Sequence, residues 1–263
     1  MKINGSEMQV AVMAGLLIVA VLLTGYNAIT LTQLSSAAPN AVGFALSAQI
    51  QASGQEPVAG ASTSVQQAQV IQSVSFADIA PKGVPAVYGT ELVVSYDDIS
   101  ASNPTKADDT IKKLGALDEQ ITLNATQKQR YVNILYNMSY GMSCEYCCGA
   151  RSIIFENGEP ACGCAHSYAM RGVTKYLLTK HASEFTDEQI QEEIGKWKTL
   201  FFPGPIANKA SILKDNGIKL DYINMTSNKF RGVEARVASA AAANSGTSAS
   251  AVSGGGPAQV GGC

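Results

Sequence analysis

The sequence "SCEYCCGARSIIFENGEPACGCAHSY", residues 143–168, contains five of the six cysteines of the chain and one of its two histidines. These side chains form two groups, CxxCC and CxCxH, separated by a short segment. Such a density of thiols is typical of a metal site, a disulfide knot or a redox centre. The way in which this stretch is held together therefore decides the fold around it.

Both groups have spacings that suit a metal ion. In CxxCC, the two-residue gap lets two thiolates of one tight turn reach a single ion, and the adjacent cysteine adds a third sulfur. In CxCxH, an extended chain directs all three side chains to the same side, because side chains alternate along a strand. The candidate metal ligands are Cys144, Cys147, Cys148, Cys162, Cys164 and His166.

The segment between the groups brings them together. "RSIIFENGEPACGC" (151–164) predicts a β-hairpin with Asn157-Gly158 as its two-residue turn. The hairpin would place residues 144–148 opposite residues 162–166, where Zn²⁺ would take four of the six groups in a tetrahedron. Zinc is the cofactor that we expect, and the thiolates also suit copper(I) or an iron–sulfur cluster.

Two other interpretations of the cysteines remain open. Outside the cytoplasm, structural disulfides such as 144 to 162 and 147 to 164 would need no metal. The odd fifth cysteine of the cluster and the ligand-like spacing of its histidine argue against them. A dithiol redox centre is the other alternative, and it rests on the CxxC pair alone. We assign no role to Cys263, the last residue of the chain.

The amino-terminal region indicates a membrane anchor. No charged residue occurs from Met8 to Gln55, and "VAVMAGLLIVAVLLTGYNAITL" (10–31) is long and apolar enough to cross about 30 Å of hydrocarbon. We predict a short cytoplasmic end over 1–8 and a transmembrane helix over 9–31. Cleavage of a signal peptide near "SSAAPNA" (35–41) is the alternative.

Composition divides the remaining chain into three parts. Residues 32–80 are rich in Ala, Ser and Gln and predict a flexible stalk. Residues 81–231 carry nearly every charge and are long enough for one core, so we predict an extracytoplasmic domain with the Cys/His cluster. Residues 232–263 have little apolar bulk and predict a disordered tail.

Local patterns predict that this domain is mainly α with a small β-hairpin, which is an α+β fold. "AVYGTELVVSY" (86–96) predicts one or two short strands. Helices are expected from Asn103-Pro104 to Gly115, from the Asn124/Gln127 capping box onward, over 167–182, and over 187–202 after the Thr186/Gln189 box. We expect His181 to be a surface residue near a helix carboxyl end, where its charge complements the helix dipole, and not a metal ligand.

The charge pattern excludes several function classes. The 19 Lys and Arg residues nearly balance the 21 Asp and Glu residues and form no polybasic field, so nucleic acid is not an expected partner. The membrane is the one expected partner, and a protein partner stays unknown. The sequence shows no Ser-His-Asp set, phosphate-binding glycine loop or paired-acid signature. A role other than catalysis is therefore favoured, although enzymatic activity stays open.

Four segments carry a family resemblance. "VPAVYGTEL", "SCEYCCGA", "ACGCAHSYAMRG" and "KWKTLFFPGPI", within residues 84–210, resemble an uncharacterised family of archaeal membrane-anchored proteins that share this CxxCC…CxCxH cluster. "CGCAHS" is distantly similar to bacterial lipoproteins with a Cys-Tyr-Cys-Gly-Cys motif. Here Ala161 and Cys162 stand where those proteins have Pro-Cys-Tyr, and no lipobox is present. The resemblance implies a surface-anchored metal or thiol domain and no particular reaction.

These patterns together predict a membrane-anchored extracytoplasmic protein whose Cys/His cluster binds a soft metal. The metal would be either a structural zinc ion or copper or another soft metal that the protein handles. An envelope thiol–disulfide oxidoreductase and a disulfide-stapled surface structural protein are the alternatives.

Overall fold

The computed structural model describes residues 73–245 and 257–262. Within these residues the chain is helical and contains no β-strand. The helices are α1 (Phe76–Ile79), α2 (Gly89–Leu92), α3 (Pro104–Gln120), α4 (Ala125–Val132), α5 (Ala165–Lys180), α6 (Asp187–Phe201), α7 (Pro203–Asp215), α8 (Tyr222–Thr226) and α9 (Val233–Ser245). Single 3-10 turns and one π turn connect several of them.

The capping signals in the sequence mark true helix starts. The side chain of Asn103 accepts a hydrogen bond from the backbone N–H of Lys106, and Pro104 is the first residue of α3. Reciprocal capping boxes start α4 at Asn124/Gln127 and α6 at Thr186/Gln189. These predictions are confirmed because each cap depends only on residues three positions apart.

One predicted helix end is wrong and another is confirmed. Helix α3 does not stop at Gly115 but continues to Gln120, because this glycine lies where α3 meets the side chain of Tyr168 on α5. Helix α6 ends at Phe201, one residue from the predicted end at 202, and Pro203 then begins α7. A proline there costs no hydrogen bond, because the first N–H groups of a helix are unpaired.

The segment 86–96 is not a strand. It forms α2 and leads into a 3-10 turn over Tyr96–Asp98. Its aromatic residues Tyr88 and Tyr96 are buried in the helical core instead. Both hydroxyls donate hydrogen bonds to Glu193 on α6, over 3.0 and 2.6 Å. Residues with a high strand propensity are largely those whose side chains pack well on a half-buried surface. Here helices, and not a sheet, provide that surface.

The connection between the cysteine groups is a tight antiparallel turn with one bridge, between Ile154 and Pro160. The N–H of Gly158 donates to the carbonyl of Phe155, and the N–H of Phe155 donates to the carbonyl of Glu159. Gly158 has a φ of +84°. The turn is therefore centred one residue earlier than the predicted Asn157-Gly158 pair, with Gly158 in the left-handed position that follows it.

The core lies where α3, α5 and α6 pack together. Gly172 on α5 has no room for a Cβ, because such an atom would overlap the carbonyl oxygen of Leu114 on α3. Trp197 and Phe201 of α6 are fully buried beside these helices. The close α3–α5 crossing fixes the position of the amino end of α5, which carries the second cysteine group.

The folded region extends beyond the predicted domain at both ends. Val74, in the predicted stalk, is buried, and its N–H donates to Ser211 over 2.8 Å. The predicted tail contains α9, and its alanine run explains the helix, since alanine has the highest helix propensity. Residues 257–262 pack on the domain, where the N–H of Val260 donates to the carbonyl of Phe201 over 2.8 Å.

The other predicted segments lie outside the described residues. They are the cytoplasmic end over 1–8, the anchor over 9–31, most of the stalk, and Cys263. Among the described helices, none is both long enough and apolar enough to cross a bilayer.

Candidate metal centre

The first cysteine group lies on an irregular loop that follows α4. The N–H of Met142 donates to the carbonyl of Leu135, which turns the chain back on itself. Residue Glu145, directly after Cys144, has a left-handed φ of +41°. This loop directs Cys144 into the interior, where its side chain is fully buried, and leaves Cys148 exposed.

Residues 228–231 hold this loop in place through hydrogen bonds. Asn228 accepts a hydrogen bond from the hydroxyl of Ser143 over 2.6 Å and donates to the carbonyl of Arg151 over 2.7 Å. The guanidinium of Arg231 donates to the carbonyls of Gly149 and Ala150 over 2.7 and 2.9 Å. The loop conformation thus depends on residues about 80 positions away, which no local pattern in the sequence indicates.

The second group lies at the start of α5. Cys164 is the residue that precedes the helix, and His166 lies in its first turn. The predicted extended conformation over "CGCAH" therefore ends at Cys164. Because the first N–H groups of a helix carry partial positive charge, this position favours a thiolate.

The sulfurs of the two groups meet. Cys144 Sγ lies 3.2 Å from Cys164 Sγ, which lies 3.5 Å from Cys162 Sγ. The ligand atoms of Cys144, Cys162 and Cys164 all lie within 4.8 Å of one another, as do those of Cys147, Cys164 and His166. The structure thus brings five of the six predicted ligands into two overlapping groups that share Cys164.

The sixth predicted ligand, Cys148, has a different position. Its sulfur is at disulfide distance from that of Cys162. Cys147 is also in disulfide form, whereas Cys144 and Cys164 are thiols. The cross-link joins the two cysteine groups, as a disulfide interpretation requires, but it pairs different residues from the 144–162 and 147–164 bridges considered above.

His166 has the arrangement of a metal-binding histidine. It is fully buried against the rings of Phe201 and Phe202, and its Nε2 lies 2.8 Å from the carbonyl oxygen of Val260. A carbonyl only accepts, so Nε2 carries a proton, and Nδ1 is the nitrogen through which the ring would bind a metal. Metal-binding histidines typically donate their other N–H to a carbonyl or carboxylate in this way.

The pKa values of the thiols of Cys144 and Cys164 are shifted in opposite directions. The hydrogen bond from Cys144 is the main cause that lowers the pKa of Cys164 to about 4, with His166 and Ser167 also contributing. The same hydrogen bond, together with burial, raises the pKa of Cys144. Cys164 is therefore a thiolate at neutral pH, and Cys144 is the thiol that donates to it.

A buried arginine supports the second group. The guanidinium of Arg171 donates to the carbonyl of Cys162 over 2.7 Å and to the carboxylate of Asp118 on α3 over 2.7 Å. Both side chains are buried, and Lys175 lies 2.8 Å from the other oxygen of Asp118. Arg171 is a helical residue within an ordinary amphipathic pattern, so no local pattern indicates this role.

Two fully buried lysines lie beside the first group. The ammonium of Lys209 lies 2.7 Å from the carboxylate of Glu145, and that of Lys198 lies 3.5 Å from it. Burial lowers the pKa of Lys198 to about 8, although Glu145 opposes the shift. This charge cluster was not predicted, because in the sequence these lysines look like solvated residues of amphipathic helices.

His181 is not part of the cysteine cluster and is not the surface residue that we expected. It is buried, with Nδ1 2.7 Å from Glu184 and Nε2 3.1 Å from Glu91. The hydroxyl of Tyr176 donates to the same Glu91 carboxylate over 2.5 Å. His181 therefore links the end of α5 to α2.

Comparisons of this chain with known family models, curated proteins and solved structures found no match.

Proposed function

We propose that the chain binds a soft metal ion through its Cys/His cluster, and that zinc is the ion. One observation carries this proposal: cysteine sulfurs and an imidazole from two separate loops form two overlapping groups, and within each group the ligand atoms lie within 4.8 Å of one another. Zn²⁺ takes four such ligands in a tetrahedron. Cys164, whose pKa is lowered to about 4, provides the thiolate that a metal requires, and the buried imidazole of His166 provides a nitrogen ligand.

The burial of the ligands favours a structural role for the ion. Cys144 and His166 are fully buried, and Cys164 is partly buried. A metal held by both loops would join the segment after α4 to the start of α5. Structural zinc sites are closed in this way, whereas catalytic sites keep an open position for water or substrate.

An extracytoplasmic location is part of the same proposal. The Cys148–Cys162 bond supports it, because disulfides persist in oxidising compartments. The apolar segment over 9–31 would hold the domain at the membrane surface. Copper(I) and an iron–sulfur cluster are the alternative occupants, since both accept thiolate-rich sites.

Elemental analysis of the full chain, purified anaerobically under reducing conditions, tests the proposal. We expect about one zinc ion per chain, as in a closed four-ligand site. Cys164→Ser should abolish binding, because Cys164 belongs to both ligand groups. His181→Gln is the matched control, since this buried histidine lies outside the cluster, and it should retain the metal. A reduced wild-type chain without metal would refute the proposal.

Thiol–disulfide exchange is a second candidate function, favoured by one observation. The Cys164 sulfur, which is a thiolate at neutral pH, lies 3.5 Å from Cys162, a sulfur of the Cys148–Cys162 disulfide. Exchange reactions proceed by attack of a thiolate on a disulfide sulfur. Reduction of a model disulfide substrate by the reduced chain, and its loss in Cys164→Ser, would support this function. Metal binding without such activity would exclude it.

A further inference from the structure

Cys162 has two roles that exclude each other. Its sulfur is at disulfide distance from Cys148, and it also lies within the all-sulfur group formed with Cys144 and Cys164. A metal ligand must be a thiolate, and a sulfur within a disulfide is not one. In the disulfide form, the all-sulfur group therefore offers only the thiols of Cys144 and Cys164.

We infer that the Cys148–Cys162 disulfide is a redox gate on the metal site. Reduction adds Cys162 to Cys144 and Cys164 as a third sulfur ligand, and oxidation removes it and releases the metal. This inference rests on the proposed metal-binding function and adds the regulation of that same site. The partner that it requires is a dithiol–disulfide couple.

The difference in exposure between Cys148 and Cys162 determines which sulfur of the disulfide is attacked. Cys148 is exposed, whereas only 5% of Cys162 is accessible to solvent. A thiolate of an external dithiol therefore attacks Cys148 and forms a mixed disulfide with it, and Cys162 leaves as a thiolate. The second thiol of the reductant then attacks the mixed disulfide. The Cys148 thiolate is released, and the reductant leaves as a disulfide that has lost two electrons.

The expelled Cys162 thiolate stays inside the cluster. Arg171 holds its backbone carbonyl over 2.7 Å, and its sulfur lies 3.5 Å from that of Cys164. A metal bound to this thiolate opposes re-formation of the disulfide. Because binding free energies are linked, the factor by which reduction tightens metal binding equals the factor by which metal favours reduction.

Zinc affinity in defined redox states tests the gate. Reduction of the wild-type chain also changes Cys147, so the decisive comparison uses variants that alter the Cys148–Cys162 bond alone. In the full chain, Cys148→Ser frees Cys162 without adding a ligand. Cys162→Ser frees Cys148 and removes the ligand. Competition with a zinc chelator dye, without reductant, gives the affinity of each, and thiol counts after denaturation confirm the redox state.

We expect Cys148→Ser to bind zinc more tightly than the unreduced wild type. The gain should be at least the roughly 10–100-fold that outer-shell changes cost metal sites. Cys162→Ser should bind weakly with or without reductant. In the wild type, zinc should raise the reduction potential of the disulfide, making it more positive by about 30 mV for each tenfold gain in affinity.

Two results would overturn the gate. Equal zinc affinity of Cys148→Ser and the unreduced wild type would show that Cys162 is not the limiting ligand. Equal affinity of Cys148→Ser and Cys162→Ser would show that the free thiol need not be at position 162. In both cases zinc binding by the reduced wild type would leave the proposed function intact. Absence of binding in every state would overturn both.

Discussion

The Nε2 nitrogen of His166 donates a hydrogen bond of 2.8 Å to the carbonyl oxygen of Val260, 94 residues further along the chain. Val260 is only 5% exposed, and its own N–H is bound to the carbonyl of Phe201. The segment 257–262 thus fixes the ring orientation of the histidine in the cluster. It is an outer layer of the candidate metal site.

Displacement of this segment should weaken metal binding. Val260→Asp places a charge at a buried position, so the segment should leave the domain and His166 should lose its acceptor. We expect zinc affinity in the reduced full chain to fall by about 10–100-fold, the usual effect of losing an outer-shell partner. Gln259→Asp is the matched control, because Gln259 is exposed. Equal affinities of the two variants would show that the Val260 carbonyl does not support the site.

Cys164 should be the reactive thiol of the metal-free chain. Because its pKa is lowered to about 4, the thiolate is almost fully formed at pH ~6, and alkylation by iodoacetamide should be nearly as fast there as at pH ~8. Cys144, whose pKa is raised and which is fully buried, should remain unlabelled. Mass spectrometry of the labelled peptides measures both rates.

Cys144→Ala is the informative variant for this thiol. The hydrogen bond from Cys144 is the main cause of the low pKa of Cys164, so removal of this donor should move that pKa upward. Labelling of Cys164 at pH ~6 should then slow relative to pH ~8. An unchanged pH profile would mean that His166, Ser167 and the helix start are sufficient for the shift.

Glu145→Gln should destabilise the fold strongly. Burial alone would raise the pKa of Glu145, but Lys198 and Lys209 more than offset this effect, and the pKa is lowered. The substitution leaves two fully buried ammonium groups without this carboxylate. We expect a loss of about 3–5 kcal/mol in the free energy of unfolding, as for other broken buried ion pairs, measured by urea denaturation.

The exposed Glu119, on α3, provides the control for this charge cluster. Glu119→Gln should change the free energy of unfolding by no more than about 0.5 kcal/mol. Lys198→Met combined with Glu145→Gln should recover part of the loss, because one uncompensated charge is removed together with its partner. Similar stabilities of the Glu145 and Glu119 variants would contradict a structural role for the cluster.

His181 should make stability depend on pH near neutrality. Burial alone lowers its pKa, but hydrogen bonds to Glu184 and Glu91 more than offset this, and the pKa is raised. A raised pKa stabilises the fold fully below the unfolded pKa of about 6.5, and this contribution is lost as the pH rises through the folded value. Tyr176 and Lys180 are the other titratable groups nearby.

The difference in unfolding free energy between wild type and His181→Gln isolates this contribution. It should shrink as the pH rises from ~6 to ~8, as measured by urea denaturation of both chains. The thiols of the cluster also titrate, but they are common to both chains and cancel in the difference. A difference that is constant over this range would show that His181 does not gain its charge on folding.

Gly172→Ala should separate α3 from α5. A Cβ at this position would overlap the Leu114 carbonyl, and backbone cannot move as a flexible side chain can. We expect a loss of about 1–3 kcal/mol in the free energy of unfolding, typical of overpacking. Gly163→Ala is the control, because no atom lies within 4 Å of the Cβ that it would add. Equal melting temperatures of the two variants would contradict the close crossing.

Local signals in the sequence predicted the parts of this fold that depend on neighbouring residues. The caps at Asn103, Asn124 and Thr186 and the helices that follow them are confirmed. The strand predicted over 86–96 was wrong, because its aromatic residues bury against helix α6, whose position that segment does not encode. The predicted disorder after residue 232 missed α9, where alanine supplies helix propensity without apolar bulk.

The sequence by itself determined which chemistry is possible at the cluster, since CxxCC and CxCxH supply five thiols and an imidazole within a short segment. The tertiary structure decided which of these groups meet: it pairs Cys148 with Cys162, places Cys164 in both ligand groups and brings Val260 to His166. It also buries Lys198 and Lys209 beside Glu145. Capping and spacing act over a few residues and leave a local pattern, whereas these contacts join distant segments whose approach is set by the packing of α3, α5 and α6.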